Sequence, residues 1–236
     1  MADISWLTRR PIAHRGFHDL NRVRWENTLS AFDAAVERDY AIECDVHLSA
    51  DGVPVVFHDN VLNRLAGRDG FVHDLTAAEL AQLRIGGTQD HVPTLAEMLA
   101  RIGGRVPLVI ELKGVEGKDG GLVAAVAKAL QDYRGKAAIM SFDHWLVRRF
   151  ADDAPGIPAG LTAEGRTMAD LEAHFSMLAH PISFVSFSVL DVPNPFVAFV
   201  RDRLAMPVIT WTVRNEETRA ATFAHADQMT FEGFEA

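Results

Sequence analysis

Apolar residues recur along the chain in two rhythms. Short runs rich in β-branched and aromatic side chains appear at Pro11 to His14, Ala41 to Val46, Pro107 to Leu112, Ala137 to Phe142, Pro158 to Leu161, Ser183 to Phe187, Val208 to Val213 and Gln228 to Phe231. Between them, apolar positions return every three or four residues, as in Leu122, Val123, Val126, Ala127 and Leu130, or Leu171, Phe175 and Leu178, or Phe196, Phe199, Val200 and Leu204. The first rhythm predicts strands and the second predicts amphipathic helices. Strands alternating with helices in a chain of 236 residues predict the α/β class, and eight such repeats predict a (β/α)8 TIM barrel.

Start signals support the helices. Glu26-Asn27-Thr28 opens one whose apolar positions are Leu29, Phe32 and Val36, and Asn215 before Glu216 and Glu217 opens another. A ninth extended run, Val53 to His58, follows the second strand after only Ser49-Ala50-Asp51-Gly52. That link is too short for a parallel crossover and suits a hairpin, so the run is expected to return antiparallel and carry His58-Asp59 into the C-terminal mouth. The excursion continues to His91 with a capping box from Thr76 to Glu79, and Thr94-Leu95-Ala96-Glu97 then begins the delayed second barrel helix, stopped by Gly103-Gly104. The expectation is a single domain, 1–236, with a small insertion subdomain at about 60–91 after the second strand. Past Phe231 too few residues remain for a full eighth helix. The piece around Ile4, Trp6 and Leu7 is expected to cover part of the barrel, the alternative being a second copy of the chain in a homo-oligomer.

Composition changes this picture little: 48% hydrophobic and 23% charged residues are those of an ordinary packed globule. A net charge of -9 argues against nucleic acid and anionic membranes as partners. The lone Cys44 excludes a disulfide framework and a Cys-based zinc cage. No apolar run approaches the roughly 20 residues of a spanning helix, and Met1 to Arg10 lacks the apolar core of a signal peptide, so no stable membrane anchor and a cytoplasmic location are expected.

The chemistry lies where the alternation is broken by charge. Glu43 and Asp45 share one face of an otherwise apolar strand, as do Glu111 and Lys113 of another, and all fall at C-terminal strand ends, where barrels of this type build their sites. Three carboxylates from neighbouring strands need something cationic between them, and oxygen ligands favour Mg2+ or Ca2+ over zinc. An ordinary salt-bridged rim is the competing interpretation of the same charges. His14 ends the first strand and His58 the returning run, so two imidazoles reach one mouth and suit general acid and base work. Arg15 can clamp a phosphate in bidentate fashion, and Gly16 permits a tight turn. His18, His47, His73, His91, His144, His174, His180 and His225 are read as surface or core histidines, and Thr28 as helix punctuation. Trp211 either fills the barrel or walls the apolar part of a substrate.

His14-Arg15-Gly16, Glu26-Asn27-Thr28, Glu43-x-Asp45, Asp51-Gly52 leading to Val55-Val56-Phe57-His58-Asp59, Pro93-Thr94-Leu95, Glu111-x-Lys113, Ser141-Phe142 and Trp211-Thr212-Val213 occur in an order that resembles the glycerophosphodiester phosphodiesterase family. The resemblance runs from Pro11 to Val213. It implies a metal-dependent hydrolysis of small-molecule glycerophosphodiesters to sn-glycerol 3-phosphate and an alcohol. Glu43, Asp45 and Glu111 would hold one divalent cation, Arg15 and Lys113 would spread the remaining charge, and His14 and His58 would serve as acid and base in an order left open. Water and the substrate's own glycerol hydroxyl both stand as nucleophile. A phospholipase-like action on lysophospholipids and a noncatalytic phosphodiester-binding barrel are the alternatives. The end departs from the family, whose last strand usually closes with a Thr-Asp-x-Pro-like turn and a helix; here Thr230-Phe231-Glu232 stands instead, which bears on barrel closure and on one wall of the mouth.

Overall fold

The computed structural model describes residues 3–236; residues 1 and 2, with which the expected domain begins, lie outside the described residues. Among these residues nine strands form one sheet: β1 (Ile12–Ala13), β2 (Ala41–Leu48), β3 (Pro54–Val56), β4 (Leu108–Leu112), β5 (Ala137–Ser141), β6 (Ala159–Ala163), β7 (Phe184–Ser188), β8 (Val208–Val213) and β9 (Gln228–Phe231). All but β3 run parallel, each beside its sequence neighbour, and β1 pairs with both β2 and β9, so eight strands close into a barrel. Among the described residues ten α-helices intervene: α1 (Leu29–Glu37), α2 (Asn63–Ala66), α3 (Ala77–Leu80), α4 (Leu95–Ile102), α5 (Leu122–Leu130), α6 (His144–Val147), α7 (Phe150–Asp153), α8 (Met168–Met177), α9 (Pro195–Asp202) and α10 (Glu216–His225). Of the longer ones, α1, α4, α8, α9 and α10 start on side-chain caps, Thr28, Thr94, Thr167, Asn194 and Asn215 each accepting from a backbone N–H of the first turn, whereas α5 follows Gly121, which has no side chain to offer. Among the described residues no helix is long and apolar enough to cross a membrane.

Strand alternation sorts the core into two layers. Outward-facing Ile42, Cys44, Val46, Leu108, Ile110 and Leu112 pack against the helices, while inward-facing Ala41, Val109, Ala138, Phe184 and Ile209 fill the lower barrel. Gly160 makes room there, since a Cβ at that position would sit 2.4 Å from the Phe184 ring. The 3-10 turn Ser5–Thr8 inserts Trp6 and Leu7 beneath this layer and closes the bottom, and Gln228 Nε2 donates to Thr8 O at 3.0 Å to hold it. The N-terminal piece is therefore the stopper; no second copy is needed for that role.

The barrel closes although, among the described residues, no helix follows β9. Ile12 pairs with Thr230 and Ala13 with Phe231 through backbone bonds that need no crossover helix. Phe17, Tyr40, Phe231 and Phe234 cover the uncapped side, with Tyr40 and Phe231 edge to face at 5.0 Å and the Arg38 guanidinium 4.6 Å above Phe17.

The expected return strand is β3, antiparallel to β2 with Val46 opposite Val56. Its turn is tied by Ser49 Oγ, which donates to Asp51 Oδ1 at 2.6 Å, and by Gly52 at φ +76°. Beyond it, Leu62, Leu65, Val72, Leu80 and Ile85 form a separate small core that also takes Val55 and Phe57 from the return strand and Val92 from the way back. This core props His58 over the mouth.

Candidate active site

Inward positions of β2 change character within two residues. Ala41 belongs to the apolar floor, and Glu43 and Asp45 above it are buried carboxylates. In β4 the same step runs from Val109 to Glu111, and the parallel register sets Asp45 opposite Glu111. One oxygen from each of Glu43, Asp45 and Glu111 lies within 4.8 Å of the others. Two cations face them. Arg15 Nε lies 3.2 Å from Asp45 Oδ2, Lys113 Nζ lies 3.1 Å from Asp45 Oδ1, and Lys113 also bonds Glu111. Arg15 stands at φ +54°, a strained conformation for a side-chain-bearing residue, and in it the backbone N–H donates to Glu43 Oε2 at 2.9 Å. Gly16 follows at φ +81°, where a Cβ would strike Ala31 and Phe32 at 2.9 Å.

Electrostatically the three carboxylates are unequal. Burial works to raise the Asp45 carboxyl, but Lys113 and Arg15 outweigh it and keep Asp45 firmly ionised. Asn27 Nδ2 adds a hydrogen bond to Asp45 Oδ2 at 2.8 Å. Glu43 is pushed well up by burial and by its neighbours Asp45 and Glu111. Burial raises Glu111 to about 7 against the pull of Lys113. Two of the three carboxylates are thus left short of positive charge.

Both imidazoles are oriented by carboxylates. His14 follows β1, and its Nδ1 lies 2.5 Å from Glu232 Oε2, leaving Nε2 to face the mouth, 3.9 Å from Glu43 Oε2. His58 Nδ1 lies 2.7 Å from Asp59 Oδ1, and Arg64 grips both oxygens of Asp59 at 2.7 and 2.8 Å. Arg64 also reaches Glu26, which in turn holds Arg15 Nη1 at 2.6 Å, so one chain of ion pairs fixes His58 and Arg15 together. Burial would raise Glu26 and Asp59, but the bonds from Arg64 hold each down at about 2. Burial lowers both His14 and His58, despite the carboxylates beside them.

All eight residues singled out from the sequence line one cavity: His14, Arg15, Glu43, Asp45, His58, Glu111, Lys113 and Trp211, joined by Met140, Phe142, Ser186 and Thr230. Trp211 is half-buried and stands edge to face with Phe142 at 5.2 Å, forming an apolar wall opposite the charges. Its enclosed space of about 50 Å³ has room for a few waters or an ion, so the bulk of any larger ligand would lie outside. A wider depression of about 850 Å³ opens at the far end of the barrel, but its charged lining is only Arg201, Asp202 and Asp227, the first and last paired at 2.9 Å.

Thr28 caps α1 as expected, and Glu26 and Asn27 of the same start signal are part of the site's support. Arg64 and Glu232 were not anticipated. Arg64 had no motif to mark it, and Glu232 meets His14 only across barrel closure. His18, expected as an ordinary histidine, is buried with Nε2 3.5 Å from Glu232 Oε2.

The donor set fits a hard divalent cation. Three carboxylates contribute oxygens only, they converge on one space, and the raised Glu43 and Glu111 mark negative charge that Arg15 and Lys113 leave unbalanced.

A family model described as the Glycerophosphoryl diester phosphodiesterase family matches residues 14–234. A Caldanaerobacter subterraneus protein named glycerophosphodiester phosphodiesterase is 31% identical over 216 residues, covering 87% of this chain and 86% of its own. The crystal structure of an Oleispira antarctica phosphodiesterase in complex with the product sn-glycerol-3-phosphate superposes with a TM-score of 0.81 at 26% identity, over 96% of this chain and 94% of that one. A second crystal structure, from Silicibacter pomeroyi, gives 0.80 at 27% identity over 95% and 90%.

Proposed function

The chain belongs to the glycerophosphoryl diester phosphodiesterase family, and from that premise we propose that it hydrolyses glycerophosphodiesters to sn-glycerol 3-phosphate and an alcohol at the mouth built by β1, β2, β3, β4 and β8. The observation that carries this proposal is the meeting of three buried carboxylates, two carboxylate-bound imidazoles and two cations around one small cavity. In this reading residues 1–236 form a single domain, and the excursion at about 60–91 serves as a subdomain that delivers His58.

Glu43, Asp45 and Glu111 would hold one divalent cation, Mg2+ or Ca2+, which supplies positive charge to phosphate oxygens and acidifies a hydroxyl near it. Arg15 and Lys113 bind the remaining phosphate oxygens and offset charge that grows as the phosphoryl group passes from one oxygen to the other. Each histidine has Nδ1 committed to a carboxylate, so Nε2 is the nitrogen that exchanges protons. Near pH 7 the free chain keeps both as neutral bases, since burial lowers them. The negative charge of the incoming diester favours protonation of one, which then serves as the acid for the departing alkoxide, while the other takes a proton from the nucleophile. The phosphate end enters the cavity, and the alcohol lies outward, where Trp211 and Phe142 give it an apolar wall. A cytoplasmic location is part of this reading; it agrees with Cys44 as a buried free thiol.

Exposed apolar side chains give a second reading weight. Val23, Met168 and Leu190, exposed at 78%, 71% and 71%, all follow C-terminal strand ends and so stand on the mouth side of the barrel, where they suit an acyl chain. Release of glycerol 3-phosphate from a panel of glycerophosphodiesters, after EDTA treatment and with Mg2+ or Ca2+ restored, tests the first proposal. Turnover of glycerophosphocholine well above lysophosphatidylcholine is the expected result. The reverse order would favour the lysophospholipid reading, and tight binding without release would make the chain a noncatalytic binder.

A further inference from the structure

We propose that Glu232 is a positioning residue for the reaction, holding His14 by Nδ1 so that Nε2 faces the phosphodiester; this rests on the reading of His14 as a proton carrier. Glu232 follows β9, and the closing pair β9–β1 brings it beside a residue 218 positions away in the chain. Its Oε2 lies 2.5 Å from His14 Nδ1. Oε1 accepts from Arg214 Nε at 2.8 Å, and its backbone N–H donates to Val213 O at 3.1 Å, so the carboxylate is held by side chain and backbone alike. Burial would raise Glu232, but the bond from His14, the nearby His18 and the charge of Arg214 hold it well below the usual carboxylate range, so the acceptor is an anion. With Nδ1 so committed, the ring cannot turn its other nitrogen away from Glu43 without breaking the shortest bond it makes.

His14, His18 and Glu232 also lie close enough together to suggest a second cation site, but the hydrogen bonds argue otherwise. Leu20 N–H donates to His18 Nδ1 at 3.2 Å, so that nitrogen carries a lone pair and the ring proton sits on Nε2, which faces Glu232 at 3.5 Å. A nitrogen bearing a proton is no ligand. Nor is there space for an ion inside a 2.5 Å contact between His14 and Glu232. The trio is a support converging on one carboxylate, with His14 bonded to it and His18 packed 3.5 Å away.

A mutant cycle separates positioning from a merely structural role. His14→Ala, Glu232→Ala and the double variant would be assayed for glycerol 3-phosphate release from glycerophosphocholine, with thermal melting alongside. Glu232→Ala is expected to lower kcat about 10- to 100-fold with KM within about 2-fold. In the His14→Ala background the same change should cost less than about 3-fold, because the group it acts through is gone. In the metal-free protein, the Nδ1–H nitrogen resonance of His14 should shift in Glu232→Ala. A double variant slower by the product of the two single losses, or wild-type kcat in Glu232→Ala, would overturn the proposal. Should Glu232→Ala not fold, Glu232→Leu, which fills the space without offering an acceptor, carries the same cycle with the same outcomes. Full turnover in His14→Ala alone would instead overturn the role of His14, a failure distinguishable from that of Glu232.

Discussion

The two ends of the barrel are built from the same strands and obey opposite rules. At the floor, Ile12, Ala41, Val109, Ala138, Phe184 and Ile209 meet Trp6 and Leu7 in a dry, close-packed layer. Two residues further along β2 and β4, the same inward face carries Glu43 and Glu111, which burial makes costly to ionise. A concentration of like charge is destabilising unless it is paired, and the mouth is only partly paired. The floor must therefore supply stability that the mouth spends, and damage at each end should show in a different measurement.

The largest effect is expected at the mouth. His14→Ala and His58→Ala should each lower turnover about 100- to 10,000-fold with little change in melting temperature. Trp6→Ala should do the converse, costing about 3–5 kcal/mol of stability by opening the floor while the folded fraction retains its turnover, read from denaturant melts with activity normalised to folded protein. If Trp6→Ala abolished turnover in the folded fraction, the two ends would not be separable. A smaller effect sharpens the contrast: Mg2+ or Ca2+ at about 100 times its dissociation constant should add about 2.7 kcal/mol, or about 5–10 °C, to the stripped protein and nothing comparable to Asp45→Asn.

The most gradual expected effect is on pH. The Glu111 carboxyl is raised from 4.5 to about 7 on folding, so the stability it contributes is present in full below 4.5 and is lost as pH rises through about 7. His47 moves oppositely: burial lowers it from 6.5 to about 4, so its contribution is present above 6.5 and is lost as pH falls toward 4. Comparing stripped wild type with Glu111→Gln cancels His47. Their difference in melting temperature should move steadily against wild type between pH 4.5 and 7.5, and a difference flat with pH would remove Glu111 from the account.

The barrel was legible because its signal is local. β2 and β4 each pair an apolar outward row with an inward row that turns acidic, and neither pattern suits a helix. The antiparallel return was legible from the four residues between Leu48 and Val53, which leave no other connection. Glu232 was not, because an acidic residue after a last strand means nothing until closure sets it against His14. Arg64 was hidden in the same way, its two carboxylate partners 38 and 5 positions off. Trp6 and Leu7 announced an amphipathic piece, but only the taper of the floor shows that they plug it.

The return strand has one further consequence. Because Val55 and Phe57 rest on the small cluster of Leu62, Leu65, Val72 and Leu80, and only Val56 joins the shared barrel core, the strand can breathe while every stave stays in place. Amide exchange should find Val55 to Phe57 among the earlier-opening backbone. In the proposed reaction such breathing would let a bulky alcohol leave past His58 while the phosphate stays gripped below, so the exit for one product would be hinged separately from the seat of the other.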